Sequence, residues 1–338
     1  MNTEYCKISL KRLTGKQNKP GYHNPEFKAL FGSMKVNPCL PFSRSEFFQS
    51  GKQNTQGMSI SGIQQKLSLK QNAKHELVAT AEGGEYILKP SPEAYPNAAE
   101  NEHAAMQVSR LMGIDTAQCG LVTFQGGERV YITKRFDRQP DGSKLHQEDL
   151  MQCANLPSEN KYDLTYEDAG KLIDKVTHGK QAAVLDFVRR VILAYVTGND
   201  DLHLKNFSVQ RLPDNTSHYY DKLTPNYDCL FCDAFNDEEK GMGLLALGLL
   251  HDTEDGSEYF TEMYNHYGYY TGYDFLELGR RLGLKEKPIR TFITKLKTNQ
   301  KKITNLISCS YIPDAMKERA TQLVESRIKA MQLIDSKA

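Results

Sequence analysis

Residues 198–206 read GNDDLHLKN and carry the strongest chemical signal in the chain. They directly follow an apolar helical pattern at 182–196, so we expect their polar side chains at the C-terminal end of that helix. Asp201 precedes Asn206 by five positions, a spacing typical of the catalytic loop of phosphotransferases that use Mg-ATP. In such loops the Asp accepts or orients the proton of the attacking hydroxyl, and the Asn holds a magnesium ion. Asp201 is therefore the predicted catalytic residue, and Asp200 is a competing candidate without the five-residue offset.

A second acidic residue, Asp228, lies 27 positions after Asp201 in the segment PNYD. A hard cation that bridges phosphates takes one or two oxygen ligands from the protein, and Asn206 with Asp228 would supply them. A polar surface turn is the ordinary structure for either motif alone. Their order, after a β-rich segment, favours a magnesium site.

The phosphate-binding half of such a site is expected upstream, where residues 57–62 read GMSISG. A loop of small residues that enters a strand can turn its backbone N–H groups toward a phosphate chain. Two glycines at this spacing are also typical of an ordinary hairpin loop. Because Ile63 and Gln64 follow Gly62, the segment does not match the Walker A pattern, and a P-loop NTPase is excluded.

Lys89 closes an apolar strand pattern at 86–88, and Glu102 follows thirteen positions later in the first turns of a helical pattern. A lysine at the end of a strand can direct its charge at the α and β phosphates of ATP, and a helix glutamate can orient it. A surface lysine and a helix-start glutamate are the common alternative. The pair is a candidate part of a nucleotide site.

The hydrophobic pattern changes along the chain. Residues 1–50 are polar and irregular, and residues 57–90 alternate as strands do. A helical period then begins at Asn97 and ends at Gly113, and a hairpin is indicated around the turn at 125–127. Three further helical patterns cover 182–196, 286–308 and 314–334.

This order of elements predicts an α+β fold with two lobes. The predicted parts are an N-terminal extension at 1–50 packed on the small lobe, a small β-rich lobe at 51–135, and a large helical lobe at 136–338.

Composition excludes several classes of protein. The chain has 338 residues with 43 Lys and Arg against 42 Asp and Glu, so its net charge of +1 argues against direct nucleic-acid binding. The first residues contain no apolar core of a signal peptide, and the richest apolar run, 241–250, is about half the length of a membrane span. We expect a cytoplasmic protein that does not enter a membrane.

Seven cysteines are spread over the chain, and this odd number without a signal peptide predicts reduced thiols. Cys229 and Cys232 have the CxxC spacing of a zinc half-site or a redox pair. A matching second half-site is missing from the sequence, and Leu-Phe between the thiols is typical of a core segment. We therefore favour a structural role.

Six ordered motifs resemble those of the HipA family, which are bacterial serine/threonine kinases that act as toxins of toxin–antitoxin systems. The motifs, which run from about residue 57 to 228, are SISGIQQKLS, ILKP, NEH, KRFDR, DLHLKNFS and LTPNYD. The resemblance implies a protein-kinase-like fold in which ATP binds between a small β-rich lobe and a large helical lobe.

The same resemblance implies roles for individual residues. Asp201 would be the catalytic aspartate, Lys205 would act at the γ-phosphate, and Asn206 with Asp228 would hold Mg²⁺. The residues that would bind ATP are Ser59, Ile60, Ser61, Gly62, Lys89, Glu102, Lys134, Phe136 and His203. Within this set the 133–136 segment would be the hinge beside adenine, and His203 would support the catalytic loop.

Members of the family phosphorylate themselves in the small-residue loop, where Ser59 and Ser61 are the matching serines. A phosphoserine adds roughly −1.5 to −2 charges at pH 7, which would repel the phosphates of ATP and inactivate the kinase. The alternative is that both serines only turn the loop and hydrogen-bond its backbone.

The resemblance also implies partners. Known substrates in the family are aminoacyl-tRNA synthetases, so a synthetase, with Glu- or Trp-tRNA synthetase first, is the expected target. Only 56 residues precede the small-residue loop, which resembles the short HipT kinase of HipB–HipS–HipT systems. A HipS-like small subunit and a HipB-like DNA-binding antitoxin are then the expected partners.

Two other classes of function fit part of the pattern. A small-molecule phosphotransferase of the aminoglycoside or choline kinase type uses a similar Asp-x-His-x-x-Asn loop, but the SxSG loop and the KRFDR segment disfavour it. An inactive kinase fold that serves as a binding module is disfavoured because Lys89, Asp201, Asn206 and Asp228 are all present.

Overall fold

The computed structural model describes residues 5–15, 19–53, 58–61, 64–139, 141–235, 245–254 and 256–335. The chain forms two compact units. Unit 1 comprises Met1–Gln107, Ala117–Ser143 and Leu306–Asp314, and unit 2 comprises Val108–Thr116, Lys144–Asn305 and Ala315–Ala338. The boundaries expected near residues 50 and 135 stay predictions.

Unit 1 is built on a six-stranded antiparallel sheet. Its strands are β1 (Met58–Ser61), β2 (Gln64–Gln71), β3 (Leu77–Ala79), β4 (Tyr86–Lys89), β5 (Cys119–Thr123) and β6 (Arg129–Lys134). Hydrogen-bonded neighbours follow the order β1-β2-β4-β6-β5, and β3 also pairs with β2. Leu67 lies opposite Leu88 and Leu69 opposite Tyr86, and all four are buried because alternate residues of a strand share one face.

Two helices lie in the N-terminal part of unit 1, namely α1 (Asn24–Phe31) and α2 (Arg44–Gln53). The expectation that residues 1–50 are irregular is therefore wrong for these segments. The two helices are short, so few apolar positions reveal their period. Phe27, Phe31 and Phe47 nevertheless pack in one core with Leu69 and Leu88 of the sheet.

The helix predicted to begin near Asn97 is confirmed as α3, which spans Ala98–Leu111. His103 on this helix lies 3.0 Å from the backbone oxygen of Ile8 through its Nε2 atom, so the N-terminal segment and α3 share a buried hydrogen bond. Glu100 forms an ion pair of 2.8 Å with Arg129 of β6. Helix α3 is thereby tied to both the sheet and the N-terminal segment of unit 1.

Most of the helices belong to unit 2. The helices after α3 are α4 (Leu150–Ala154), α5 (Tyr166–Val176), α6 (Gln181–Thr197), α7 (Glu262–Tyr267), α8 (Gly272–Arg281), α9 (Glu286–Ser308) and α10 (Asp314–Ala330). A small antiparallel sheet has the order β7 (Gln147–Asp149), β8 (Ser208–Gln210) and β9 (Lys222–Leu223). The three helices predicted at 182–196, 286–308 and 314–334 are confirmed, as is the α+β class.

Helix α6 positions the polar loop that follows it. It ends at Gly198, which adopts φ = +67°, and a Cβ there would overlap Leu323 and lie 2.9 Å from Asp233 Oδ2. Arg327 of α10 is fully buried and donates to the Tyr195 carbonyl at 2.5 Å and to Asp233 Oδ2 at 2.9 Å. The last turn of α6 is therefore held by a buried cation, and only glycine fits the left-handed exit without strain.

None of the helices in the described ranges is long and apolar enough to cross a membrane. All seven cysteines are free thiols. Cys229 and Cys232 belong to no cluster of three or more His, Cys, Asp or Glu side chains within the described part of the chain.

Candidate active site

Lys89 and Glu102 form a buried ion pair in unit 1. The Lys89 Nζ atom lies 2.7 Å from Glu102 Oε1, and the side chains are 5% and 1% exposed. Lys89 is the last residue of β4, and Glu102 lies one turn into α3, so the strand and the helix each present one charge to the other. The structure thus brings together two residues that the sequence analysis placed in one site.

The sheet holds the lysine from a second side. Tyr131 of β6 is the register partner of Lys89, and the Lys89 Nζ atom lies 5.4 Å from the centre of its ring. A buried charge is costly unless it is paired, and an aromatic face adds further attraction for a cation. Lys89 is therefore fixed by Glu102 and Tyr131 before any ligand binds.

The predicted hinge lies at the end of β6. Lys134 is the last residue of that strand and donates its backbone N–H to the Gln118 carbonyl at 2.8 Å. Arg135 forms a bidentate pair with Asp137, at 2.9 and 2.6 Å, which holds the pKa of that carboxyl below its usual value despite burial. Phe136 is half-buried between them. Adenine contacts at Lys134 and Phe136 stay a prediction.

The small-residue loop is described only in part. Ser59, Ile60 and Ser61 lie in β1, opposite Lys66, Gln65 and Gln64 of β2. Gly62 lies outside the described residues. The predicted phosphate contacts and phosphorylation of this segment stay predictions.

In unit 2 the predicted catalytic loop forms a compact turn after α6. Asp201 is 54% exposed, whereas Asn206 is buried, and the Asn206 Nδ2 atom donates to the Asp201 carbonyl at 2.7 Å. Because a carbonyl only accepts hydrogen bonds, the amide nitrogen must face it, and Oδ1 remains as the acceptor atom of Asn206. The turn therefore exposes the carboxylate of Asp201 and leaves the amide oxygen available to a cation.

Asp228 adopts a left-handed backbone with φ = +54°. Such a conformation is uncommon outside glycine and is tolerated by Asp and Asn, and it is often found at functional sites. The preceding Tyr227 donates its hydroxyl to the Lys205 carbonyl at 2.9 Å and lies 2.7 Å from Ser208 Oγ. Tyr227 thus ties the Asp228 segment to the catalytic loop.

His203 and Lys205 flank the aspartate from within the loop. Burial lowers the pKa of His203, which keeps its ring neutral at neutral pH even though Nε2 lies 3.7 Å from Asp201 Oδ1. Lys205 is half-buried, and no carboxylate of the described ranges forms an ion pair with it. A contact of Lys205 with the γ-phosphate stays a prediction.

Asp200 lies in a different setting from Asp201. The Cys232 thiol hydrogen-bonds the Asp200 side chain and contacts Asn199 Oδ1 at 3.4 Å, and Asp200 also interacts electrostatically with Arg327. Asp200 thus belongs to the buried network that holds α6, whereas Asp201 extends outward. This geometry favours Asp201 over Asp200 as the residue that meets a substrate.

The donor atoms fit a magnesium ion held mainly by phosphates. Mg²⁺ prefers oxygen ligands and takes only one or two of them from the protein when a nucleotide supplies the rest. Asn206 and Asp228 are of that type, and no larger cluster of metal-ligating side chains occurs in the residues that the structure covers. The residues present therefore fit a Mg-nucleotide and do not form a site for a bare metal ion.

Three contacts of the site escaped the sequence analysis. Tyr162 donates its hydroxyl to Asp201 Oδ1 at 2.9 Å, Tyr227 holds the Lys205 carbonyl, and Tyr131 flanks Lys89. Tyr227 stands next to Asp228 in the motif LTPNYD, so its position was a usable signal. Tyr162 lies 39 positions before its partner, and no local pattern connects the two.

Comparison with known proteins agrees with this geometry. The family model of the HipA-like C-terminal domain matches residues 58–303. The chain belongs to this family. A Haemophilus influenzae protein named "Putative kinase" is 35% identical over 98% of both chains. The serine/threonine-protein kinase toxin HipA of Shewanella oneidensis is 26% identical over 55% of this chain and 46% of its own length.

A solved structure shows the HipA-like fold directly. Shewanella oneidensis HipA, in a complex with HipB and operator DNA, superposes with a TM-score of 0.63 at 19% identity, covering 88% of this chain and 74% of that one. This likeness confirms the kinase-like α+β fold that the motifs predicted. The two relatives matched in sequence carry the names "Putative kinase" and "Serine/threonine-protein kinase toxin HipA".

Proposed function

We propose that the chain is a Mg-ATP-dependent protein serine/threonine kinase. The observation that carries the proposal is the buried Lys89–Glu102 ion pair of 2.7 Å. Protein kinases require a strand lysine paired with a helix glutamate before they bind ATP productively. A buried pair is costly to maintain, so its presence in a chain that also keeps the Asp201–Asn206 turn argues against a decayed kinase fold.

Each residue then has a role that its surroundings allow. Lys89 neutralises charge on the α and β phosphates, and Asn206 and Asp228 supply oxygen ligands to Mg²⁺. When bound, the ion neutralises charge on the phosphates. Asp201 accepts the proton of the attacking hydroxyl, and the positive charge of Lys205, in the same loop, attracts the γ-phosphate.

The small-residue loop would regulate this activity. Phosphorylation of Ser59 or Ser61 adds negative charge to a segment that would otherwise face ATP phosphates, and repulsion would weaken nucleotide binding. The support for this step is the resemblance of the motif SISG to that of self-phosphorylating HipA kinases.

The proposed substrate is an aminoacyl-tRNA synthetase, by resemblance to known HipA substrates. One structural relative is described together with HipB and operator DNA, which supports a HipB-like antitoxin as a partner of this chain. The near-neutral charge of the chain favours contact with DNA through such a partner.

A phosphate-transfer experiment tests the proposal. The chain is incubated with labelled ATP, Mg²⁺ and a bacterial lysate, and labelled proteins are identified by mass spectrometry, together with the peptide that spans 57–62. We expect labelled serine or threonine in the chain itself and in a synthetase. Labelling of a small molecule alone, or no Mg²⁺-dependent transfer, would contradict the kinase.

A further inference from the structure

The carboxylate of Asp201 is exposed, yet one of its oxygens accepts a hydrogen bond from a neighbouring side chain. Among the described residues, the one side chain that hydrogen-bonds this carboxylate is Tyr162, whose hydroxyl donates to Oδ1 at 2.9 Å. The backbone of Asp201 is held separately by Asn206. Tyr162 therefore controls the direction of the carboxylate, while Asn206 controls the turn that carries it.

Tyr162 is itself held in place although it is 47% exposed. The edge of its ring packs against His203, with centroids 5.4 Å apart at 77°, and the Lys161 ammonium lies 4.7 Å from its ring centre. Aromatic edge contacts and cation–π contacts each add modest but directional attraction. The hydroxyl thus approaches Asp201 from a fixed side.

The segment that carries Tyr162 also forms hydrogen bonds with backbone groups of the catalytic loop. Leu204 donates its N–H to the Lys161 carbonyl at 3.3 Å, and Tyr166 donates its hydroxyl to the Leu202 carbonyl at 2.8 Å. With the Tyr162–Asp201 hydrogen bond, the segment 161–166 makes three contacts with residues 201–204, which indicates a built support, since an accidental surface contact would involve one side chain.

We propose that Tyr162 is a positioning residue for phosphoryl transfer: it holds Oδ1 of Asp201 so that Oδ2 receives the proton of the substrate hydroxyl. A carboxylate has two oxygens and several lone pairs, so one oxygen can be held while the other acts as the base. The substrate oxygen forms a bond to the γ-phosphorus, the bond from that phosphorus to the β–γ bridging oxygen breaks, and ADP leaves.

The protonation state of Tyr162 suits this role. Burial and the neighbouring Asp201 carboxylate raise the pKa of its hydroxyl, which therefore stays a proton donor across the range in which kinases work. Lys161 points its charge at the ring of Tyr162.

This inference rests on the proposed kinase activity, and one set of variants separates the two. Tyr162→Phe removes the hydroxyl and keeps the ring against His203. We expect the maximal rate of phosphate transfer to fall about tenfold, because a hydrogen bond to a charged group is lost, while the MgATP concentration for half-maximal rate changes less than twofold. Tyr219→Phe is the matched control, because Tyr219 is also exposed, at 38%, and its ring also contacts a histidine, His178.

The outcomes are distinct. A wild-type chain that transfers no phosphate would overturn both the kinase and the positioning role. An active wild type with an unchanged Tyr162→Phe rate would overturn the positioning role alone. Tyr162→Leu tests the ring: a loss confined to the Leu variant would assign the effect to packing and contradict the role of the hydroxyl. Thermal unfolding of each variant confirms that the chain is folded at the assay temperature.

Discussion

The two charged groups central to the proposed activity, one in each unit, are held in opposite ways. Lys89 is 5% exposed and lies 2.7 Å from a carboxylate that is 1% exposed, whereas Asp201 is 54% exposed and is steered by hydrogen bonds. A buried charge stays in place because leaving its partner is costly. An exposed carboxylate must be reached by a substrate, so only directional contacts can hold it. The burial of Lys89 suits a group that binds a ligand, and the exposure of Asp201 suits a group that reacts with a substrate.

The exposed group is tested first, where the largest effect is expected. Asp201→Asn keeps the size of the side chain and removes its ability to accept a proton, so the transfer rate should fall about 10³-fold. Asp200→Asn is the matched control, because Asp200 belongs to the network of Cys232 and Arg327. Rates come from labelled ATP under saturating MgATP. A larger loss of transfer rate in the Asp200 variant would make Asp200 the catalytic residue and Asp201 the structural one.

The buried group is tested by breaking its pair. Glu102→Gln leaves the Lys89 charge buried without a carboxylate, and the free energy of unfolding should fall by about 3 kcal/mol. Glu286→Gln is the matched control, since Glu286 also lies near the start of a helix but pairs with Arg290 at the surface, and it should cost less than about 1 kcal/mol. Urea denaturation measures both. Equal decreases in the free energy of unfolding of the two variants would show that burial of the ion pair does not keep Lys89 in place.

The packing at the end of α6, which positions the exposed catalytic loop, is tested at Gly198. Gly198→Ala places a Cβ against Leu323 and Asp233 at φ = +67°, so strain and overlap together should cost about 2–3 kcal/mol of unfolding free energy. Gly268→Ala is the control, because Gly268 has φ = +73° and nothing within 4 Å of the added carbon. That variant should cost about 1 kcal/mol. Thermal or urea unfolding compares the two variants. Equal decreases in their free energy of unfolding would contradict close packing around Gly198 at the end of α6.

The smallest effect concerns the histidine beside Asp201. Because burial lowers the pKa of His203 below its unfolded value of 6.5, the unfolded chain takes up a proton first as pH falls through that range. The free energy of unfolding should therefore decrease toward acidic pH, by at most about 1.4 kcal/mol per pH unit from this group. His203→Gln should reduce this slope below about pH 6.5 in denaturation curves. An unchanged slope would show that His203 is not buried as a neutral ring.

The sequence predicted one half of the site better than the other. Lys89 and Glu102 each follow a clear hydrophobic period, one at the end of a strand and one in a helix, so local patterns were enough to pair them. Asp201 and Asn206 share one loop and were found by spacing. The position of Tyr162 depends on how two segments 39 residues apart pack, and no periodicity encodes that contact.

The fold shows the same division. Helices α3, α6, α9 and α10 were predicted because each is amphipathic or apolar over several turns. Helices α1 and α2 were missed because each is at most ten residues long within a polar stretch. The buried pair of Arg327 and Asp233 joins residues 94 positions apart and reads in sequence as two ordinary surface charges. Long-range contacts of this kind become visible only in three dimensions.

The central claim is that Lys89 binds the nucleotide and that Asp201 accepts the proton of the substrate hydroxyl. Isothermal titration calorimetry with MgATP tests this claim on three proteins: the wild type, Asp201→Asn, and a double variant that combines Lys89→Met with Glu102→Gln. The double variant removes both charges of the ion pair, so neither charge is left buried without its partner. We expect the double variant to lose at least about tenfold in affinity and Asp201→Asn to keep the wild-type affinity within about twofold, although neither transfers phosphate. Wild-type affinity in the double variant, or an equal loss in Asp201→Asn, would contradict the claim.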